Sequence, residues 1–192
     1  GILRAIPNLE VIRPADANEV SMAWKYIMGH KDRPVALILT RQALPTMDRT
    51  KYGSADGVLK GGYILADSQG TPEIILIGTG SEVQLCIGAY EQLTKEGIKA
   101  RVVSLPCWSL FERQGDDYWE KVLPSSVRAR VAVEAASSFG WRRYTGIDAD
   151  GAVVAMREFG ESAPLKALLT EFGFTVEKVV ETAKATIKKH KK

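Results

Sequence analysis

Ile74-Ile75-Leu76-Ile77-Gly78-Thr79-Gly80-Ser81-Glu82-Val83 is an aliphatic run that breaks into a glycine turn and then into a helix start. The run reads as a buried strand and the turn as tight. The helix that follows carries Val83, Cys86, Ile87 and Tyr90 on one face and stops at Gly97. Downstream the same alternation repeats, with strands expected at 101–104, about 130–133 and 152–155. Pro164 at a first helical position precedes Leu165, Leu168, Leu169 and Phe172, Gly173 closes that helix, and a last helix carries Val176, Val179, Val180, Ala183 and Ile187. Strands alternating with helices imply an α/β fold: three layers, a mostly parallel sheet with helices on both faces. This stretch is long enough to fold alone.

Upstream, Leu9 to Ile12 is a candidate strand, and Asp16 with Glu19 three residues later resembles a capping box. Val20, Ala23, Trp24, Ile27 and Met28 follow at helical spacing, and His30 comes just after them as a helix-terminus residue. Val35-Ala36-Leu37-Ile38-Leu39 then reads as a buried parallel strand ending in Thr40-Arg41-Gln42. A residue just past such a strand lies at the carboxyl edge where α/β sheets bind ligands, so Arg41 is placed to meet an anion; pairing with a nearby carboxylate is the structural alternative. Strand, helix and strand are too few to close a sheet, so this front piece reads as the end of a partial α/β domain. Residues 46–60 show no sustained periodicity and read as a linker.

With 192 residues the chain can bury a real core. Its formal charge is +3, but Lys188, Lys189, Lys191 and Lys192 supply four of the 26 basic residues, leaving 22 against 23 acidic ones. The body is therefore near neutral, which argues against a nucleic-acid partner. No apolar stretch is long enough for a membrane, the first residues lack the basic, apolar and small-residue succession of a secretory signal, and cytoplasmic location is the default expectation. The chain opens on Gly1 rather than methionine, which reads as a cut or an engineering scar. Cys86 and Cys107 have no pairing or metal spacing and read as buried, inert thiols.

Gly78, Gly80 and Ser81 form a candidate anion site, since glycines let backbone amides approach a ligand at a helix start. The dinucleotide fingerprint would need a glycine where Val83 stands, the phosphate-loop lysine is missing, and Glu82 would repel a phosphate, so a structural turn is the competing reading. Ser162 in Gly160-Glu161-Ser162-Ala163-Pro164 reads as a helix cap, because a serine nucleophile lacks both the elbow motif and a histidine partner. Glu134 ends a strand and reads as a buried carboxylate or an interface acceptor, one carboxylate being no acid/base pair. Trp108, Phe111, Tyr118 and Trp119 are core or a subunit contact, and Trp141 and Tyr144 favour core packing.

Taken in order, Ile6-Pro7-Asn8-Leu9, Arg13-Pro14-Ala15-Asp16-Ala17-Asn18-Glu19, Thr40-Arg41-Gln42 with Leu44-Pro45, Gly61-Gly62-Tyr63, Gly78 to Val83, Val133-Glu134-Ala135 and Phe159-Gly160-Glu161-Ser162-Ala163-Pro164 resemble the transketolase family. The 1-deoxyxylulose-phosphate synthases and the β subunits of 2-oxo-acid dehydrogenases share the domain plan without the Arg-Gln and Phe-Gly-Glu-Ser-Ala-Pro segments. The resemblance implies residues 1–45 as the end of a pyrimidine-binding domain, 46–60 as a linker and 61–192 as a C-terminal domain. It implies a full-length homodimeric enzyme that moves a two-carbon ketol unit between sugar phosphates with thiamine diphosphate and a divalent metal, Mg or Ca. The metal motif is absent here, since Gly115-Asp116-Asp117 and Asp150-Gly151 do not supply it, and no cofactor is expected on this chain alone. Arg41 looks like the arginine that holds the sugar phosphate, while the catalytic and cofactor residues should lie upstream, so the chain alone should be inactive. A regulatory or small-anion and nucleotide-binding module is the competing function, and a purely dimerising domain a third.

Overall fold

Why Ile74–Gly78 is aliphatic throughout follows from its place: all five residues of this strand, β4, are buried between two neighbouring strands and two layers of helix. The computed structural model describes residues 1–147 and 151–190. Around β4 run β3 (Tyr63–Ala66), β5 (Ala100–Ser104), β6 (Arg130–Ser137) and β7 (Gly151–Met156), in the sheet order β3-β5-β4-β6-β7. β5, β4, β6 and β7 are parallel, with Leu76 opposite both Val102 and Val131, and β3 is an antiparallel edge strand on β5.

The period of two in β4 sorts its side chains into two cores. Ile74 and Leu76 join a cluster with Cys86 and Leu93 of helix α2 (Val83–Lys95) and Val179, Val180 and Ala183 of the last helix, Val176–His190. Ile75 and Ile77 face an aromatic layer on the opposite side. That layer is built by α3 (Trp108–Glu112), α4 (Asp116–Val122) and α5 (Arg142–Thr145), with ring centroids 4.7 Å apart for Trp108 and Trp141 and 5.7 Å for Trp119 and Tyr144. Trp108, Phe111, Trp141 and Tyr144 are thus core, Tyr118 and Trp119 pack half-buried against them, and both thiols, Cys86 and Cys107, are fully buried. Burial pushes the pKa of each thiol up, the state of an unreactive cysteine. The mostly parallel three-layer sheet expected from the alternation is the one observed.

The front piece is β1 (Glu10–Ile12), α1 (Ala17–Gly29) and β2 (Val35–Leu37), with β1 and β2 parallel and Ile12 opposite Leu37. β2 is shorter than the 35–39 run expected; Ile38 still donates to Ile12 O, but it is partly exposed and Leu39 is exposed. The expected apolar stripe of α1 is also corrected. The helix buries Glu19, Ala23 and Tyr26, while Trp24 is 51% and Met28 71% exposed. Tyr63 and Ser104, both on the five-stranded sheet, hold Glu19 inward, and Trp24 and Met28 face away. Asp16 does cap α1, accepting Glu19 N–H at 2.9 Å, but Glu19 returns to Ala15 N–H rather than to the cap itself. His30 stands at the helix's carboxyl end, its ring stacked 4.0 Å from that of Tyr26.

Residues 46–60 hold a short 3-10 helix, Ala55–Lys60, that packs against α1, with Met47 and Val58 buried. Pro164 stands one residue before α6 (Leu165–Glu171), and no side chain caps that helix, so the Ser162 cap is not formed. Asp150, Lys191 and Lys192 lie outside the described residues, so the basic tail is seen only as far as His190.

Candidate functional site

Two sheet edges carry the candidate residues, and each follows from how a strand ends. β2 ends at Leu37, and the chain runs out through Ile38 and Leu39 to Arg41, which is exposed. Thr40 Oγ1 accepts Gln42 N–H at 3.3 Å, folding the backbone around Arg41 into a short turn. Among the described residues the Arg41 guanidinium makes no ion pair or hydrogen bond. Its fork is therefore available to a ligand.

β4 ends at Gly78, whose carbonyl accepts Leu105 N–H at 2.8 Å, and the chain turns through Thr79 into a 3-10 turn, Gly80–Glu82. Gly80 adopts φ +61, where a side chain is disfavoured, and a Cβ there would stand 3.0 Å from Arg13 Cζ. The turn thus gathers Gly78, Gly80 and Ser81, but against a cation that belongs to the front piece. Arg13 Nη2 donates to Glu82 Oε2 at 3.0 Å and Nη1 to Glu134 Oε1 at 2.6 Å. Ser81 Oγ donates to Glu82 Oε1 at 2.5 Å, and Gly80 N–H donates to Arg13 O. No hydrogen bond or ion pair joins Arg41 to this turn among the described residues.

Glu134, 2% exposed, also accepts from Arg4 Nη1 and Trp141 Nε1, each at 2.7 Å. Burial alone would raise its carboxyl, but the Arg4 bond and charge, the Arg13 charge and the Trp141 indole hold it below the usual glutamate range. β6 runs on to Ser137, past the end expected near 133, so Glu134 lies inside the strand rather than at its end, where it is buried and accepts from Arg4 and Arg13 of the front piece.

A second polar knot joins the same two parts. Asp16 accepts from Met47 N–H and from Arg49 Nη2, and Glu19, fully buried, accepts from Tyr63 Oη at 2.8 Å and Ser104 Oγ at 2.6 Å. Glu19 is raised by burial, which the bonds from Ser104, Ala15 and Tyr63 oppose, and Tyr63 is raised by burial and the Glu19 charge. Arg4, Arg13 and Arg49 had no signal in the sequence pattern, because their partners lie on other elements, 130, 121 and 33 residues away.

The model of the transketolase-like C-terminal domain matches residues 61–175, more than half of the chain, and that of the transketolase pyrimidine-binding domain matches residues 1–47. The chain belongs to the transketolase family. It is 52% identical over 177 residues to the transketolase of Aquifex aeolicus, covering 92% of this chain and 25% of that one. The transketolase structure from Leishmania mexicana superposes with a TM-score of 0.89 at 41% identity, over 97% of this chain and 26% of that one. The Pichia stipitis transketolase in complex with sedoheptulose-7-phosphate gives 0.88 at 39% identity, over 98% and 26%. The chain thus spans about a quarter of the length of these transketolases. Among the described residues no helix is long and apolar enough to cross a membrane.

Proposed function

We propose that this chain is the end of the pyrimidine-binding domain, residues 1–45, followed by a linker, residues 46–60, and the C-terminal domain, residues 61–192, of a homodimeric cytoplasmic transketolase. The full-length enzyme transfers a two-carbon ketol unit between sugar phosphates. Arg41 is the residue this chain contributes to the substrate site. The carrying observation is the exposed, unpaired guanidinium at the carboxyl end of β2, in a family with a member crystallised with a sugar phosphate. A planar fork gives a phosphate two charge-assisted hydrogen bonds, which position the sugar without taking part in bond making.

Thiamine diphosphate and a divalent metal supply the carbanion chemistry in that enzyme. Among the described residues no group of three or more His, Cys, Asp and Glu side chains gathers to hold a metal. The role left to this chain is phosphate binding at Arg41 and support of the dimer. Isothermal titration of the chain with thiamine diphosphate and magnesium is expected to give no saturable heat; metal-dependent saturation would overturn the reading of the chain as inactive alone.

In the full-length enzyme, Arg41→Ala is expected to raise KM for phosphorylated sugars on the order of 10- to 100-fold, the loss of one or two charged hydrogen bonds. Unphosphorylated acceptors should be nearly unaffected. Equal effects on both substrate classes would return Arg41 to a structural role.

A further inference from the structure

β4 connects through α2 toward β5 on one side, and β6 connects through α5 toward β7 on the other. The gap between their carboxyl ends is therefore the switch point of the sheet, where open α/β sheets place ligands. Here that crevice is filled by a side chain from another part of the molecule. Arg13 leaves the end of β1, gives its backbone N–H to Pro106 O at 2.9 Å, and lays its guanidinium between Glu82 and Glu134.

We propose that this crevice is a guanidinium receptor, occupied within the chain by Arg13 and open to a free alkylguanidinium when that side chain is removed. Its two carboxylates are 5% and 2% exposed and are oriented by groups other than Arg13. Glu82 receives Ser81 Oγ at 2.5 Å and Ala135 N–H at 3.1 Å, and Glu134 receives Arg4 and Trp141. Both carboxylates therefore keep other partners when the Arg13 side chain is removed. Two oxygens, one from each carboxylate, face the two Nη atoms of one planar group, a fork that reaches each acceptor with its own nitrogen where an ammonium must serve both from one. Gly80 completes the fit, since any side chain there would meet the guanidinium carbon and nitrogens at 3.0 to 3.2 Å. The receptor also docks the front piece: β1 ends beside Arg13, and Ile12 O holds Ile38 N–H on the strand that leads to Arg41.

The test is thermal unfolding of the 192-residue chain carrying Arg13→Ala, titrated with methylguanidinium and, separately, methylammonium. Two buried carboxylates losing a cation should lower the midpoint, and methylguanidinium should restore it saturably, by roughly 3–5 °C at about ten times its dissociation constant. Wild type, whose receptor is full, should not respond. Arg13→Ala combined with Glu134→Gln should lose most of the restoration, and methylammonium should give little. Should Arg13→Ala fail to fold, recovery of refolding yield by methylguanidinium replaces the midpoint as the readout. An equal response of wild type and variant, equal rescue by methylammonium, or no rescue of midpoint or yield would each overturn the proposal.

Discussion

Replacing Glu19 with alanine is expected to destabilise the chain by about 4 kcal/mol, read as a fall in the urea midpoint at constant slope. The carboxylate is fully buried and accepts from Ala15 N–H at 2.8 Å, Tyr63 Oη at 2.8 Å and Ser104 Oγ at 2.6 Å. A buried donor left without an acceptor costs about 1–3 kcal/mol, so three would cost roughly 3–9 if none relaxed. The backbone N–H cannot turn away, whereas both hydroxyls can rotate, which places the sum toward the lower end. Glu19→Gln keeps an acceptor oxygen but sets an NH2 group against a donor, and should lose about half as much. The charge supplies a second signature. Because burial raises the Glu19 carboxyl in the folded state, its contribution is fullest below the ordinary glutamate pKa and declines as pH rises through the raised value. Glu19→Gln cannot ionise and should lack that slope in urea titrations at stepped pH. A Glu19→Ala chain within about 1 kcal/mol of wild type would show that the knot is not a joint between the two parts.

Glu19 also shows where the sequence stops being legible. Its three-residue spacing from Asp16 suggests a capping box, and the cap itself forms, but the carboxylate serves a tertiary partner 85 residues away. Hydrophobic periodicity points α1 inward through Trp24 and Met28, because a pattern of apolar residues cannot register a buried acid that turns the helix. β4, α2 and the last helix are legible because apolar contacts alone place them, and those contacts repeat with the period of the element. β3 is not, since Tyr63–Ala66 is a four-residue antiparallel edge with a register shift between Ile64 and Ala66. The candidate site divides in the same way. Arg41 can be picked out because an arginine directly after an apolar run is a local oddity. Arg13 cannot: a cation is ordinary in a polar loop, and what makes this one unusual is a pair of carboxylates 69 and 121 residues downstream.

Gly61→Ala should be among the most damaging single methyl groups that can be added to the chain. Gly61 closes the 3-10 helix Ala55–Lys60 at φ +80, donating its N–H to Val58 O and accepting Cys107 N–H at 2.9 Å. The left-handed conformation alone costs a side-chain-bearing residue about 1–2 kcal/mol. Steric overlap costs more, because the added Cβ would stand 2.2 Å from Phe111 N, 2.4 Å from Cys107 O and 2.8 Å from Leu110 C. All three are backbone atoms of α3 or its cap, so no rotamer change relieves the overlap; the helix must move. α3 carries Trp108 and Phe111 into the aromatic layer, so its displacement opens the core on that face of the sheet. Overpacking of this kind adds about 3 kcal/mol or more, for a total of at least about 4 kcal/mol and a fall in Tm of roughly 10 °C in a chain this size. Gly160→Ala is the matched control: its Cβ would meet nothing within 4 Å and its φ is not positive, so the change should stay within about 0.5 kcal/mol. Calorimetric scans of the two variants side by side decide the matter. Similar midpoints would mean that α3 can slide on the segment that bears Gly61, and then the seam between Ala55–Lys60 and the aromatic layer would be a compliant contact rather than the fixed one that the Cys107-to-Gly61 bond describes.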